Sequence, residues 1–382
     1  MIKIKFENLL VSIVVSVVVF FNTISTTMLD RTFFQVKVNF LFLVVLLLGL
    51  RFLYKMRVSY KYLILSILLL LSGVLVYFQT NRLNFLVYSM LLVLLVNVDM
   101  KVVLRNYVVV AGILVVGVFL LSLVGMVPNL QYNRAGVIRN SFGFIYPTDF
   151  ASHCFYLFLA ISYLLKDKFI WTRSLFGVLL SAFIIKYCDA RLNALSILLA
   201  TVIFIYFYYS NGKKLKIFAL LPYSAVVFAS TVTYLSYKFS WSNPFLVSIN
   251  KLITGRLALG RNAFDTFGVH LFGTRNVQFI GSGGKTESVI GYNYVDSSYV
   301  QMLFTYGIVP VVLLIIIYVI ASRKQYKDGQ YLLVVILSLI AFNCMIEAFW
   351  FVPTYNIFMF VLFTTNTFSK KESNNIIALN AA

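Results

Sequence analysis

Acidic residues are scarce in this chain: 12 Asp and Glu stand against 32 Lys and Arg in 382 residues, with 2 His and 3 Cys. Each shortage excludes something. His153 and His270 are too few and too isolated for a metal centre, and no H-E-x-x-H or acidic cluster joins them. Cys154, Cys188 and Cys344 form no C-x-x-C pair, so no disulfide framework or metal site follows, and they read as small buried residues. No linker, low-complexity tract or clear repeat interrupts the chain, which leaves no basis for an inverted-repeat transporter architecture. Segments of ~10 residues with alternating hydrophobicity are absent too, and a membrane β-barrel needs them.

What fills the chain is apolar: 61% of it is hydrophobic and only 12% charged, the composition of an integral membrane protein. Runs such as "LLVSIVVSVVVFF" and "VVLLIIIYVI" recur along its length. A helix needs about 20 residues to cross roughly 30 Å of hydrocarbon, and helices are required because lipid offers no partner to an open backbone amide. Twelve spans are predicted, near residues 8–29, 38–54, 62–79, 83–98, 106–127, 148–165, 172–187, 192–209, 217–236, 299–320, 330–350 and 354–367. The expectation is an all-α polytopic membrane protein, one integral membrane domain over residues 1–382.

The net charge of +20 invites a nucleic-acid reading, because phosphate backbones demand basic surfaces. Its distribution argues otherwise. With the N-terminus inside, the short cytoplasmic segments carry Lys3 and Lys5, then Arg51, Lys55, Arg57 and Lys61, then Lys101 and Arg105. Lys166, Lys168 and Arg173 follow, then Lys213, Lys214 and Lys216, then Arg323, Lys324 and Lys327, and finally Lys370 and Lys371. That is the positive-inside pattern, so most of the charge is a topology signal with both termini cytoplasmic. No nucleic-acid partner is expected. The first apolar run lacks an A-x-A cleavage pattern and reads as a retained span.

Span parity places two polar segments outside, a shorter loop at 128–147 and a long one at 237–298. The long loop holds Lys238, Lys251, Arg256, Arg261, Arg275 and Lys285. Long loops translocate whatever their charge, yet arginines on the disfavoured side are also candidates for binding an anion. "GSGGKT" at 281–286 resembles a phosphate-binding loop only superficially, because Phe279 stands where the first glycine is required. A flexible lid is the better reading.

Residues 254–268 fit a short amphipathic helix, with Thr254 capping its first amides, Gly268 ending it, and Leu257, Phe264 and Phe267 along one face. At about 100° per residue, Arg256 and Arg261 project about 140° apart. Arg261 has Asp265 four residues on as a natural partner; Arg256 has no such neighbour and is the better ligand candidate. A guanidinium suits a diphosphate, since its planar fork donates two parallel hydrogen bonds and stays charged. Arg139 and Arg191 face the same side; at its depth Arg191 either serves a site or pairs with Asp189. Asp296, just above the tenth span with Tyr299 one turn into it, is a candidate general base or else that span's N-cap. Glu347, near the outer end of the eleventh span, is another acid in a costly place. Arginines, a few acids and many aromatics suit an amphiphile with a diphosphate at the interface and sugars outside.

Four segments carry a family resemblance: "RNSFGFIYPTDFA", "DARLNALSILLA", "GRLALGRNAFDTFGVHLFG" and "VDSSYVQMLFTYGIVP". In their order and shared outer location the sequence resembles the O-antigen polymerase and ligase superfamily, the Wzy-type polymerases of bacterial surface glycans. The resemblance implies a multi-pass protein of the bacterial plasma membrane that joins undecaprenyl-diphosphate-linked oligosaccharides by inverting glycosyl transfer, without metal or other cofactor. Arg191 and Arg256 would then engage the lipid diphosphate and Arg139 help position it, with Arg261, Tyr299 and Glu347 as further substrate-binding candidates. Asp296 stands where ligases have a histidine proposed as the base. The implied partners are the donor and acceptor lipids, the bilayer, a repeat-unit flippase and a chain-length regulator. Two rivals stay open: a ligase moving finished glycan to another acceptor, and a non-enzymatic flippase of the same lipid.

Overall fold

The computed structural model describes residues 6–29, 40–49, 60–134, 136–166, 168–286 and 289–365. Lys3, Lys5, Arg51, Lys55, Arg57, Lys370 and Lys371, all assigned to the cytoplasmic side above, lie outside these residues. The chain is an all-α membrane protein with one small hairpin. Among the described residues six helices are long and apolar enough to cross a bilayer: α1 (Phe6–Ile24), α3 (Tyr60–Thr80), α5 (Met100–Leu123), α7 (Ile170–Cys188), α8 (Arg191–Tyr209) and α13 (Ile308–Lys327). Three more are apolar but shorter: α2 (Phe40–Gly49), α4 (Asn84–Leu94) and α14 (Tyr331–Asn343).

The loop after α5 forms an antiparallel hairpin, β1 (Gln131–Arg134) and β2 (Val137–Asn140), with Tyr132 opposite Arg139. α6 (Pro147–Leu164) is buried on almost every face, as an apolar helix at the centre of a bundle must be. It packs against α5, α7 and α8. α7 and α8 form a tight hairpin because Asp189 adopts a left-handed backbone, φ 45°, and reverses the chain within two residues. Gly177 permits the close approach of α7 to its neighbours: a Cβ there would stand 2.3 Å from Thr201 Oγ1 and 2.8 Å from the Phe158 ring.

The later spans depart from the prediction. The ninth begins as two 3-10 turns, Lys216–Ala219 and Leu221–Tyr223, before α9 (Ser224–Lys238). After it come α10 (Pro244–Leu252), with Pro244 at its first position and Asn243 capping the amides of Phe245 and Leu246, and α11 (Arg256–Phe267). The tenth span is broken into α12 (Ser298–Thr305) and α13 at Gly307, whose φ of 92° no other residue adopts easily. Loop residues fill the break: Ile308 and Val309 donate to the carbonyls of His270 and Leu271 at 3.0 and 3.1 Å, and Thr274 donates to Phe304 at 2.8 Å. These bonds satisfy backbone groups that a broken helix exposes.

The predicted eleventh span, 330–350, stops as a helix at Asn343. In the described part of the predicted twelfth, residues 354–365, the helix is α15 (Ile357–Phe360), although residues 355–364 are buried throughout. Thr365 bonds back to Val98 at 2.7 Å, and Asn356 caps Met359 while donating to Trp350 at 2.7 Å. Apolarity there reflects enclosure by protein rather than lipid, a setting in which irregular backbone is tolerated at membrane depth. The three cysteines are free, with Cys188 and Cys344 buried and Cys154 half-buried.

Candidate functional site

α11 exists as expected, but its N-terminus is built differently. Thr254 and Gly255 both take left-handed backbones, φ 56° and 88°, and Thr254 caps nothing. The cap comes from α10: Asn250 Oδ1 accepts from the amides of Leu257 and Ala258 at 3.0 and 3.1 Å. Leu257 is buried with Phe239 and Leu246, Phe264 and Phe267 pack on Phe304, and Gly268 ends the helix. This left-handed turn directs Arg256 at the bundle. Its Nε lies 3.2 Å from Asp296 and donates to the Ile346 carbonyl at 3.1 Å, while Nη1 reaches Ile253 O and Thr254 Oγ1. Arg256 therefore has the acidic partner that its sequence neighbours lacked. Arg261, on the other flank, pairs with Asp265 at 2.8 Å as expected and donates to the Tyr237 carbonyl.

Asp296 does not cap α12; Ser297 occupies that position. Burial raises the Asp296 carboxyl above the ordinary carboxylate value, opposed by the charges of Arg256 and Arg139. Glu347 is buried beside it, within electrostatic reach of Arg256, Asp296, Asp149 and Arg139. Asp149, in the first turn of α6, accepts from the Tyr146 amide at 3.2 Å and feels Asp296. Three carboxyls and two guanidiniums thus share one end of the bundle. Asp149 was given no role from sequence, although an acid opening an apolar helix is the same signal that marked Glu347.

Arg139 reaches this centre from β2. Its Nε donates to the Cys188 carbonyl at 2.8 Å, and its Nη2 is buried with no protein partner. Burial, then repulsion from Arg134, lowers its pKa to about 10, so it remains cationic at neutral pH. A buried charged donor with nothing to bond carries a large penalty unless a ligand completes it.

Arg191 is not brought to Asp296. It bonds Asp189 at 2.9 Å with 71% of its side chain exposed, and Arg134 bonds the same carboxylate. Burial alone would raise Asp189, but its bonds to the two arginines outweigh that and hold it below the ordinary value. Nor does Tyr299 line an open site. It is buried against Trp350 and donates to the Ala341 carbonyl at 3.0 Å, bolting α12 to α14.

The glycine-rich segment lies over one edge of the centre. Gly283 donates its amide to Tyr146 Oη at 2.7 Å, and a Cβ at Gly281 would stand 2.9 Å from the same oxygen. Asn293 closes the base of this loop through two bonds with Ile280. Below the centre runs a polar seam: Asn193 donates to Ser152 at 3.1 Å and Glu347 at 3.5 Å, and Asn343 donates to Asn193 and Ser196 at 3.1 Å. Among the described residues no three His, Cys, Asp or Glu are grouped to hold a metal ion. No family model, curated protein or solved structure matches the chain.

Proposed function

We propose that the chain extends a surface polysaccharide by joining polyprenyl-diphosphate-linked oligosaccharide units at the outer face of a bacterial plasma membrane. The observation that carries the reading is the open Nη2 of Arg139 beside the Arg256–Asp296 pair: a buried cationic donor without a partner, next to a base paired to a second cation. A guanidinium pair of this kind suits a diphosphate.

The chemistry balances without a further reactant. An acceptor hydroxyl attacks the anomeric carbon of the donor; the new C–O bond forms as the bond to the diphosphate oxygen breaks, with inversion. The hydroxyl proton passes to the Asp296 carboxylate, whose raised pKa suits it to receive one. Neutralising Asp296 releases Arg256 from its ion pair just as negative charge grows on the leaving diphosphate. Arg256 and Arg139 then stabilise that charge. The glycine segment over Tyr146 suits a cover that keeps bulk water from the donor carbon.

The test is to incubate purified protein in nanodiscs with lipid-linked repeat units and follow the lipid-linked glycans. A ladder of lengthened products is expected. No ladder, together with transbilayer movement of intact substrate, would replace the transferase by a flippase; transfer only to a non-lipid-linked acceptor would make it a ligase.

A further inference from the structure

A cleft of about 560 Å³ lies across Tyr294 from the charged centre. Arg82, Phe279, Tyr294, Gln301 and Tyr306 are among its walls. Its size is that of small-molecule sites, about 300–1,000 Å³. Arg82 comes from the turn between α3 and α4, which a left-handed Asn81 tightens and the Thr80 hydroxyl holds by accepting the Arg82 amide. Its guanidinium bonds the Val277 carbonyl, and among the described residues no carboxylate pairs with it. The cleft therefore offers a cation with no carboxylate partner among the described residues, aromatic rings, and the side chains of Gln278 and Gln301. Rings meet the apolar faces of sugars, and amides and guanidinium meet their dense oxygens.

Tyr294 belongs to both places. It lines the cleft beside the Gln301 amide, and its phenol feels the charges of Asp296 and Asp149. Tyr294 stands two residues before Asp296, so one wall of the cleft and the base belong to the same short segment. A reaction between two saccharides needs two saccharide positions meeting at that base. We propose that the cleft walled by Arg82, Phe279, Tyr294 and Tyr306 holds the sugars of the acceptor substrate, an inference that rests on the transferase reading above.

The probe is the repeat-unit oligosaccharide released by mild acid from the lipid-linked pool of the producing cells, which carries no diphosphate. Its binding to the full chain in nanodiscs is measured for wild type, Arg82→Gln, Gln278→Trp and Arg256→Gln. Gln278 is exposed, so a tryptophan there fills the mouth of the cleft without entering the core. Arg82→Gln and Gln278→Trp should each weaken binding about 10-fold or more and raise the acceptor KM with kcat little changed. Arg256→Gln should leave this binding intact. Equal binding by wild type and both cleft variants, or no binding by wild type, overturns the assignment. A ladder with binding independent of Arg82 refutes the cleft and keeps the transferase; Arg82-dependent binding without a ladder refutes the transferase and keeps a saccharide site.

Discussion

Arg256 is the residue whose replacement is most diagnostic, because lysine keeps its charge and removes its fork. In the folded chain the guanidinium reaches Asp296 at 3.2 Å and the Ile346 carbonyl at 3.1 Å, and it must still face a diphosphate. Both contacts are made by Nε, and a lysine lacks the planar fork that would hold Asp296 with one edge and a diphosphate with its terminal nitrogens. Losing one charge-assisted hydrogen bond costs about 1.5–3 kcal/mol. At about 1.4 kcal/mol per decade, Arg256→Lys should lower kcat/KM about 10- to 150-fold. Glutamine removes the charge as well as the fork, so kcat/KM should fall further than in the lysine variant. The two variants differ in pH dependence as well. Arg256 opposes the burial that raises Asp296, so Arg256→Gln lifts that carboxyl further, and a base that must be ionised then needs higher pH. The acid limb of the rate profile should move to higher pH for glutamine and stay near wild type for lysine. Initial rates of ladder formation across about pH 5 to 9 read both effects. A lysine variant at full rate, with a glutamine profile superimposable on wild type, would refute the reasoning.

Arg191→Lys and Arg261→Ala should each retain activity within about 3-fold, because both arginines are exposed and pair with Asp189 and Asp265 rather than Asp296; a 10-fold loss in either would count against this placement. Asn343→Ala removes two hydrogen bonds of the polar seam, each worth about 0.6 to 1.7 kcal/mol in membrane helices, so Tm in detergent should fall measurably. An unchanged Tm would mean the seam does not hold α8 and α14 together. Gly307→Ala places a Cβ 2.3 Å from the Gly273 amide at a φ of 92°, and should prevent accumulation of folded protein. Gly329→Ala, with φ 74° but open space, should cost only about 1–2 kcal/mol and still fold. Comparable yields of the two would show that the loop does not fill the break in the helix.

Charge in an apolar chain is conspicuous, which is why Arg139, Arg191, Arg256, Asp296 and Glu347 were readable from sequence as candidates for one site, although Arg191 lies apart from it with Asp189. Their pairing was not. Asp296 lies forty residues from Arg256, and only the folded loop decides which carboxylate meets which guanidinium. Asp149 was assigned no role from the sequence, although its position opening α6 follows the same logic. The start of α11 misled for a local reason. Thr254 is a good capping residue, but the left-handed turn at Thr254 and Gly255 hands the role to Asn250 on the preceding helix. Hydropathy likewise measures apolarity and not helicity. It found α1, α3, α5, α7, α8 and α13, and it also marked residues 354–367, of which 355–364 are enclosed by protein. The break at Gly307 was written as a single glycine within an apolar run, and nothing local distinguishes a tolerated glycine from a hinge filled by a distant loop.

The most direct measurement is the position of the donor diphosphate in an experimental structure of the chain with lipid-linked substrate bound. Diphosphate oxygens within about 3.5 Å of Arg139 Nη2 and of the Arg256 guanidinium, with Asp296 facing the sugar, are the predicted result. A diphosphate held at Arg191 and Arg134, with Arg139 Nη2 still open, would contradict it.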